Sequence, residues 1–312
     1  MTTALPMVSI VSPVYGCAGC LEALVEQVEG AVSGMALPFE ILLVDDASPD
    51  GAWARIGEIA RVHAGVRGLR LARNFGQHYA IAAGIEHARG DIVVVMDCDL
   101  QDVPAEIPRL VAAVRDGAEI AFGQRTERQD AGLKRLGSWA FFRFLSWMTG
   151  VRQDHTTSNF GAYSRKVIDT VNAMPERERC FPLMVKWTGF RSVALPVTHA
   201  PRGSGRSGYS FSRLWRLAIG IVLSYSDKPL RMVVRLGLLF AAIAFAMVAL
   251  SVVRYFEGDI QVAGYTSIIA SVWLVGGVAI SSLGVIGLYL GRLFVDAKGR
   301  PYYLVAESTE DA

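Results

Sequence analysis

Asp97 and Asp99 close the run Ile92-Val93-Val94-Val95-Met96-Asp97-Cys98-Asp99, and their type and spacing could do chemistry. Side chains alternate along extended backbone, so carboxylates two residues apart leave the same face. Held side by side they repel, and a cation between them removes the repulsion. Oxygen donors on a partly open site suit Mg²⁺ or Mn²⁺, ions that often share their coordination with phosphates. A solvated acidic turn after a strand would carry the same letters, and Asp-x-Asp alone does not separate the two readings. Similar residue types recur elsewhere. Asp45-Asp46-Ala47-Ser48-Pro49-Asp50-Gly51 follows another apolar run, and the segment from Glu119 ends at Arg125. A guanidinium binds phosphate oxygens in pairs, although an ordinary surface arginine would look the same. Arg202 and Arg206 lie in Pro201 to Ser210, a loop rich in glycine and serine. A plain flexible linker of that composition has no need of arginine.

The elements that must position these residues alternate. Met7 to Tyr15 reads as a strand stopped by Gly16, and Leu21 to Val32 as a helix. A second strand, Phe39 to Val44, leads to a helix from Trp53 to His63, with Ser48 and Asp50 as candidate caps. Leu69 to Ala72 is a third strand, followed by Arg73-Asn74-Phe75-Gly76 and an alanine-rich helix from Tyr79 to Ala88. Gly90-Asp91 then starts the β-branched run that ends in Asp97, which reads as a strand buried on both faces. This rhythm predicts an α/β domain with a mostly parallel sheet and right-handed crossovers. Ligands on such sheets sit outside the carboxyl ends of the strands. No Gly-x-Gly-x-x-Gly follows the first strand, and no Gly-x-x-x-x-Gly-Lys occurs anywhere. A nucleotide would therefore be held by the acidic strand ends, through base, ribose and a bridging metal.

Composition limits the partners. With 31 basic and 29 acidic residues among 312, the net charge of +2 points to no nucleic-acid surface. Hydrophobic content of 52% is high for a soluble enzyme, and the excess lies in the C-terminal third. Leu236 to Val253 and Ile260 to Gly291 carry no charge, and each is long enough to cross a hydrocarbon core. Two transmembrane helices are expected, at about 235–255 and 264–291. Lys228, Arg231 and Arg235 precede the pair and Arg292, Lys298 and Arg300 follow it, while the loop between is net acidic. Positive charge marks the cytoplasmic side, which predicts a multi-pass inner-membrane protein with its catalytic domain in the cytoplasm. Leu133 to Gly150 and Phe211 to Ser226 are aromatic, basic and amphipathic, suited to a membrane interface or to a core. Gly287 and Gly291 have GxxxG spacing, consistent with helix contact within one chain or in a homo-oligomer. The expected domains are 1–210 (catalytic), 211–231 (juxtamembrane helix), 232–292 (spans) and 293–312 (cytoplasmic tail). Met1 to Pro6 shows no basic or apolar signal region, so no signal peptide is expected. Cys17-Ala18-Gly19-Cys20 has CxxC spacing but no second CxxC or suitable histidine, and reads as a turn of small residues.

Four ordered motifs carry a resemblance: Val-Ser-Pro-Val-Tyr from Val11, Val-Asp-Asp-Ala-Ser-Pro-Asp-Gly from Val44, Arg-Asn-Phe-Gly from Arg73, and Met-Asp-Cys-Asp-Leu-Gln-Asp-Val-Pro from Met96. Together they resemble the family 2 inverting glycosyltransferases of the GT-A fold, from about residue 7 to the end. More narrowly, they resemble the polyprenyl-phosphate glycosyltransferases, which include dolichyl-phosphate mannose synthases and bactoprenol glucosyltransferases. The resemblance implies that Pro13, Tyr15 and Asp45, with Asp46 beside them, line a nucleoside pocket. It implies that Asp97 faces ribose and diphosphate and that Asp99 and Gln101 hold Mg²⁺ or Mn²⁺. Arg125 and Arg202 would contact phosphate, Arg202 through a match to the family's Arg-x-x-Gly-x-Ser segment. The partners implied are a nucleotide-diphosphate sugar, a polyprenyl phosphate and the membrane.

Two departures stand out. Gly16-Cys17-Ala18 replaces the usual Asn-Glu after the tyrosine, and Asn159 stands where relatives that glucosylate bactoprenol carry Asp. An amide is no general base, but a phosphate monoester with a second pKa of about 6 is already anionic near neutrality. Such a nucleophile needs positioning and charge neutralisation more than proton removal, and Asp154 is the acceptor-side carboxylate if removal helps. Two other classes compete. A processive polysaccharide synthase would need a Gln-x-x-Arg-Trp motif, which is absent, and more spans. A non-catalytic membrane-anchored donor-binding protein would explain the topology but not Asp97, Asp99 and Gln101 together with Arg125 and Arg202. Transfer to another membrane-associated acceptor also fits the layout.

Overall fold

A computed structural model describes residues 6–125, 143, 147–148, 157–198, 200, 226, 228–256 and 265–311. The chain forms two compact units. One comprises Met1–Phe144, Val151–Ser210 and Pro301–Ala312, the other Leu145–Gly150 and Phe211–Arg300.

The first unit is built on a sheet of β1 (Val8–Val14), β2 (Phe39–Asp45), β3 (Val66–Leu71), β4 (Ile92–Val95), β5 (Ile120–Arg125), β6 (Thr157–Ser164), β7 (Ser192–Val197) and β8 (Val305–Ser308). Its order is β7-β5-β6-β4-β1-β2-β3-β8. The pairs β1–β2, β1–β4, β2–β3 and β5–β7 are parallel, while β6 runs antiparallel between β4 and β5. Every residue of β1 and β4 is buried, as expected of apolar runs covered on both faces. The helices described in this unit are α1 (Leu21–Ser33), α2 (Ala52–Val62), α3 (Gln77–His87), α4 (Ile107–Arg115), α5 (Arg165–Asn172) and α6 (Phe181–Trp187). On α1 the buried residues Leu21, Leu24, Val25, Val28 and Val32 form one stripe, which joins the core under β1 and β2. Where α3 crosses β1, Gly84 permits the approach: a Cβ there would lie 2.2 Å from a Val11 methyl.

The amino ends of the central strands are locked by one buried carboxylate. Glu40 is 4% exposed. It accepts hydrogen bonds from the Ser9 hydroxyl (2.5 Å), the Arg89 N–H (2.7 Å), and Arg67 Nε and Nη2 (2.9 and 2.7 Å). Ser9 Oγ in turn accepts the Gly90 N–H at 2.7 Å. The network thus joins β1, β2, β3 and the segment entering β4, at the end of the sheet opposite the acidic loops.

Residues 293–312 do more than trail from the last helix. The chain folds Val305–Ser308 against β3 in antiparallel register, pairing Arg70 with Glu307 and Leu69 with Ser308. Glu307 accepts from Trp53 Nε1 (3.0 Å) and Arg70 Nη1 (2.7 Å), and Glu310 from Arg67 (2.9 Å) and Arg89 (2.7 Å). This strand covers an edge that would otherwise offer unpaired backbone groups.

The second unit contains α7 (Lys228–Phe256) and α8 (Tyr265–Ala297). Among the described residues, one stretch is long and apolar enough to cross a membrane: Leu274–Ala297, of mean hydropathy 1.9, with none of its length buried. Leu238, Ile280 and Leu283 are each about two-thirds or more exposed. An apolar groove lined by Val233, Leu236, Leu274 and Val285 runs between α7 and α8. Among the described residues, no atom beyond the helix's own backbone and adjacent residues lies within 4 Å of a Cβ built on Gly287 or Gly291. These glycines mediate no close helix approach there.

Candidate active site

The carboxyl edges of β1, β2 and β4 bring the predicted donor-site residues together. Pro13 pairs in register with Val44 and Val14 with Asp45, so the loops after β1 and β2 start side by side. Tyr15 emerges from this edge 53% exposed, its ring open to a ligand. Gly16 follows with φ +70°, and its N–H donates to Ser48 Oγ at 2.8 Å. The Ser48 hydroxyl donates to Asp50 Oδ1 (2.5 Å), whose other oxygen accepts the Ala18 N–H (2.9 Å). Ser48 and Asp50, expected to cap α2, instead tie the first two loops to each other, and only Asp50 also reaches the Ala52 N–H (3.3 Å).

Burial works against the charge on Asp50, but hydrogen bonds from Ser48, Ala18 and Ala52 outweigh it and hold its pKa below the ordinary value. A depressed carboxylate stabilises the fold above its unfolded pKa of about 3.9, and that contribution is lost as pH falls through the lower folded value. Asp50→Asn should therefore lower the urea midpoint at pH 7. The gap from the unsubstituted chain should narrow below about pH 4. A gap that does not change with pH would show that Asp50 acts without its charge.

Asp45 is fully buried. Its Oδ1 accepts the Ser48 N–H at 2.9 Å, and Oδ2, which has no hydrogen-bond partner among the described residues, lies 3.7 Å from Arg70 Nε. Burial raises its pKa, with Ser48 and Arg70 opposing. A buried acceptor left without a donor is costly in a finished core and suits a pocket that awaits one. Asp46 is used differently. Its two oxygens accept the N–H groups of Phe75 (2.7 Å) and Gly76 (2.8 Å), anchoring the Arg-Asn-Phe-Gly turn. Burial raises its pKa too, against those two bonds.

Asp97 and Asp99 follow β4, both half-buried. Asp97 Oδ1 accepts from Gln77 Nε2 at 2.6 Å, and its N–H donates to Asp102 Oδ2 at 3.2 Å. Asp99 Oδ1 accepts the Gln101 N–H at 3.2 Å across a turn in which Leu100 has φ +59°. Among the described residues no three His, Cys, Asp or Glu side chains converge on one point. The residues that the resemblance assigns to the metal, Asp99 and Gln101, lie in this turn beside Asp97. These are hard oxygen donors that fit a Mg²⁺ or Mn²⁺ completed by substrate phosphates.

Arg125 ends β5 in register with Val197 of β7, and its side chain is outside the described residues, as are Asp154 and Arg202. The two aromatic-basic helices also fall outside, except for Arg143, Trp147, Met148 and Ser226. Sequence reasoning missed three participants. Gln77 lies just past the Arg-Asn-Phe-Gly motif, a clue to its reach toward Asp97. Arg70 reaches Asp45 because β3 neighbours β2, which only the strand order reveals. Cys17 is more than part of a turn of small residues: a disulfide joins it to Cys98. A bond closing 81 residues removes about 4.5 kcal/mol of unfolded-chain entropy in the loop-closure picture.

A mostly parallel sheet with acidic loops at its carboxyl edge and, among the described residues, no glycine-rich phosphate loop after β1 defines an α/β transferase fold of the GT-A type. A solved structure supports that architecture: glucosyl-3-phosphoglycerate synthase from Mycobacterium tuberculosis, in complex with Mn²⁺, uridine-diphosphate and phosphoglyceric acid. It superposes with a TM-score of 0.50 at 17% identity, over 70% of this chain and 77% of that one. The family model of Glycosyl transferase family 2 matches residues 9–170. An undecaprenyl-phosphate 4-deoxy-4-formamido-L-arabinose transferase of Aeromonas hydrophila is 33% identical over 99% of this chain and 96% of its own length. An uncharacterized glycosyltransferase of Synechocystis sp. is 31% identical over 96% and 94%. The chain belongs to glycosyl transferase family 2.

Proposed function

We propose that this chain transfers a sugar from a nucleotide-diphosphate sugar to a polyprenyl phosphate at the cytoplasmic membrane face, with inversion at the sugar carbon. One observation carries the reading. The same chain holds Asp45, Asp97 and Asp99 along one sheet edge and a C-terminal helix that exposes apolar side chains along its length. Exposed apolar surface on that scale needs a cover, and a bilayer supplies it. Further support comes from the Aeromonas hydrophila relative, named for transfer to undecaprenyl phosphate. In this reading α7 and α8 both span the inner membrane, and positive charge at their outer ends keeps the catalytic unit in the cytoplasm.

The chain's own groups have defined tasks. Asp45 receives a donor hydrogen from the base, Tyr15 lies against the nucleoside, and Asp97 is held by Gln77 facing the ribose and diphosphate. Bound at Asp99 and Gln101, Mg²⁺ or Mn²⁺ would supply counter-charge to the departing diphosphate. Arg125 and Arg202 add fixed positive charge at the phosphates. The acceptor phosphate oxygen attacks the sugar carbon opposite the leaving group. The new C–O bond forms as the bond to the nucleoside diphosphate breaks. Because the acceptor oxygen is already anionic, Asn159 on β6 can stand on the acceptor side without acting as a base.

A long polyprenyl tail stays in the bilayer, at about 0.8 kcal/mol per buried methylene, so the enzyme must meet the phosphate at the headgroup level. Membranes containing the chain and undecaprenyl phosphate, supplied with a panel of labelled nucleotide sugars, should yield a butanol-extractable product. Mild acid should free its sugar. Label confined to water-soluble glycan or protein would rule out the lipid-phosphate acceptor.

A further inference from the structure

The disulfide has no part in the reaction above, yet it joins the two loops that build the donor site. Cys17 stands two residues after Tyr15, and Cys98 stands between Asp97 and Asp99. Their α-carbons are 6.5 Å apart. The β1–β4 ladder ends at Val11 and Val95, so the disulfide ties the chain beyond the last paired residues, where the ligand-facing side chains begin. Both cysteines are buried, at 8% and 7% exposure. A third thiol is close in the chain. Cys20 is free and half-buried, and its N–H donates to the Cys17 carbonyl at 2.9 Å. It ends the 3₁₀ turn Ala18–Cys20, whose N-cap residue is Cys17.

We propose that Cys17, Cys98 and Cys20 form a thiol–disulfide exchange site that clamps and releases the donor pocket, with a dithiol reductant as its reaction partner. The Cys20 thiolate attacks Cys17 Sγ. A Cys17–Cys20 bond forms, the Cys17–Cys98 bond breaks, and Cys98 leaves as a thiolate that takes up the proton Cys20 lost. The external dithiol then reduces Cys17–Cys20 and becomes a disulfide itself, leaving Cys17, Cys20 and Cys98 as thiols beside the free Cys180. Closing the clamp again needs a disulfide oxidant, which ends as two thiols. The inference rests on the cytoplasm-facing reading, because a disulfide on that side of the membrane is seldom permanent and commonly serves redox sensing or catalysis. A pinned Asp97–Asp99 loop is preorganised for the donor, and opening the clamp makes binding order it.

The test uses the full-length chain in detergent, purified without reductant and titrated with dithiothreitol. Free thiols are counted with a mass-tagged maleimide. In parallel, Kd is measured with Mn²⁺ for whichever of UDP, GDP, CDP and dTDP binds most tightly. Native, folded protein should gain two thiols as Kd rises by roughly tenfold, through loss of preorganisation. Cys98→Ser should show the raised Kd with or without reductant. Cys20→Ser should keep the disulfide but open roughly ten times more slowly, through loss of the internal attacking thiol. A disulfide that resists reduction until the chain unfolds would overturn the proposal, as would one that opens without changing Kd. Failure of every nucleotide to bind in either redox state would overturn the donor reading itself, while the thiol count would still report whether the bond is reversible.

Discussion

Asp99→Ala is expected to lower sugar transfer by roughly 10³-fold, because losing several kcal/mol of leaving-group stabilisation costs a factor of ten per 1.36 kcal/mol. In the proposed reaction the diphosphate departs with its negative charge concentrated where the Asp99–Gln101 turn would hold the cation. The turn itself should survive. The Asp99 bond to the Gln101 N–H is a long one at 3.2 Å, and the Gln101 carbonyl still accepts the Ala200 N–H at 2.9 Å. Loss of activity should therefore come without loss of stability. Excess chelator should give the same loss in the unsubstituted chain and no further loss in the variant. Donor-dependent transfer that persists in chelator would remove the metal from the reaction and Asp99 from its role.

Glu40→Ala should produce the largest stability loss, and it should leave donor binding nearly untouched. Removing one partner of a buried ion pair costs about 3–5 kcal/mol, because the remaining charge stays buried without compensation. Here Arg67 would lose its inner carboxylate and keep the more exposed Glu310 and the His87 carbonyl, while the Ser9 hydroxyl and the Arg89 N–H would lose their acceptor. At about 2–4 °C per kcal/mol for a unit of this size, the thermal midpoint should fall by roughly 6–20 °C. Glu40→Gln keeps an acceptor oxygen and should fall less. Equal losses in the two variants would show that the charge of Glu40 carries the whole effect and that its volume and remaining acceptor oxygen add nothing.

These two sites differ in how readily the sequence shows them. Asp99 is visible as a letter pattern because a strand of β-branched residues ending in Asp-x-Asp carries its own geometry. Glu40 is one acidic residue at the head of an apolar run, and no local rule distinguishes it from a solvated strand end. Its importance comes from Ser9, Arg67 and Arg89, which are brought to it by strand order. The short polar strand Val305–Ser308 was illegible for the same reason: four residues without apolar alternation carry no strand periodicity. Asp46 reads as a second pocket carboxylate beside Asp45, yet both its oxygens hold the Phe75–Gly76 turn.

Sequence periodicity was enough to establish the alternation of strands and helices from Met7 to Met96, the acidic strand ends and the apolar C-terminal third. Each of these depends on neighbours within a few residues, through side-chain alternation, helical stripes and chain length. Tertiary structure alone decided that β6 would run antiparallel inside the sheet and that the C-terminus would return as its edge. It also decided that Asp45 would face Arg70, and that Cys17 would pair with Cys98 rather than with Cys20 in its own CxxC. These pairings join residues 25 to more than 200 positions apart. The free energy of such contacts depends on which strands become neighbours, and no single stretch of the chain carries that information.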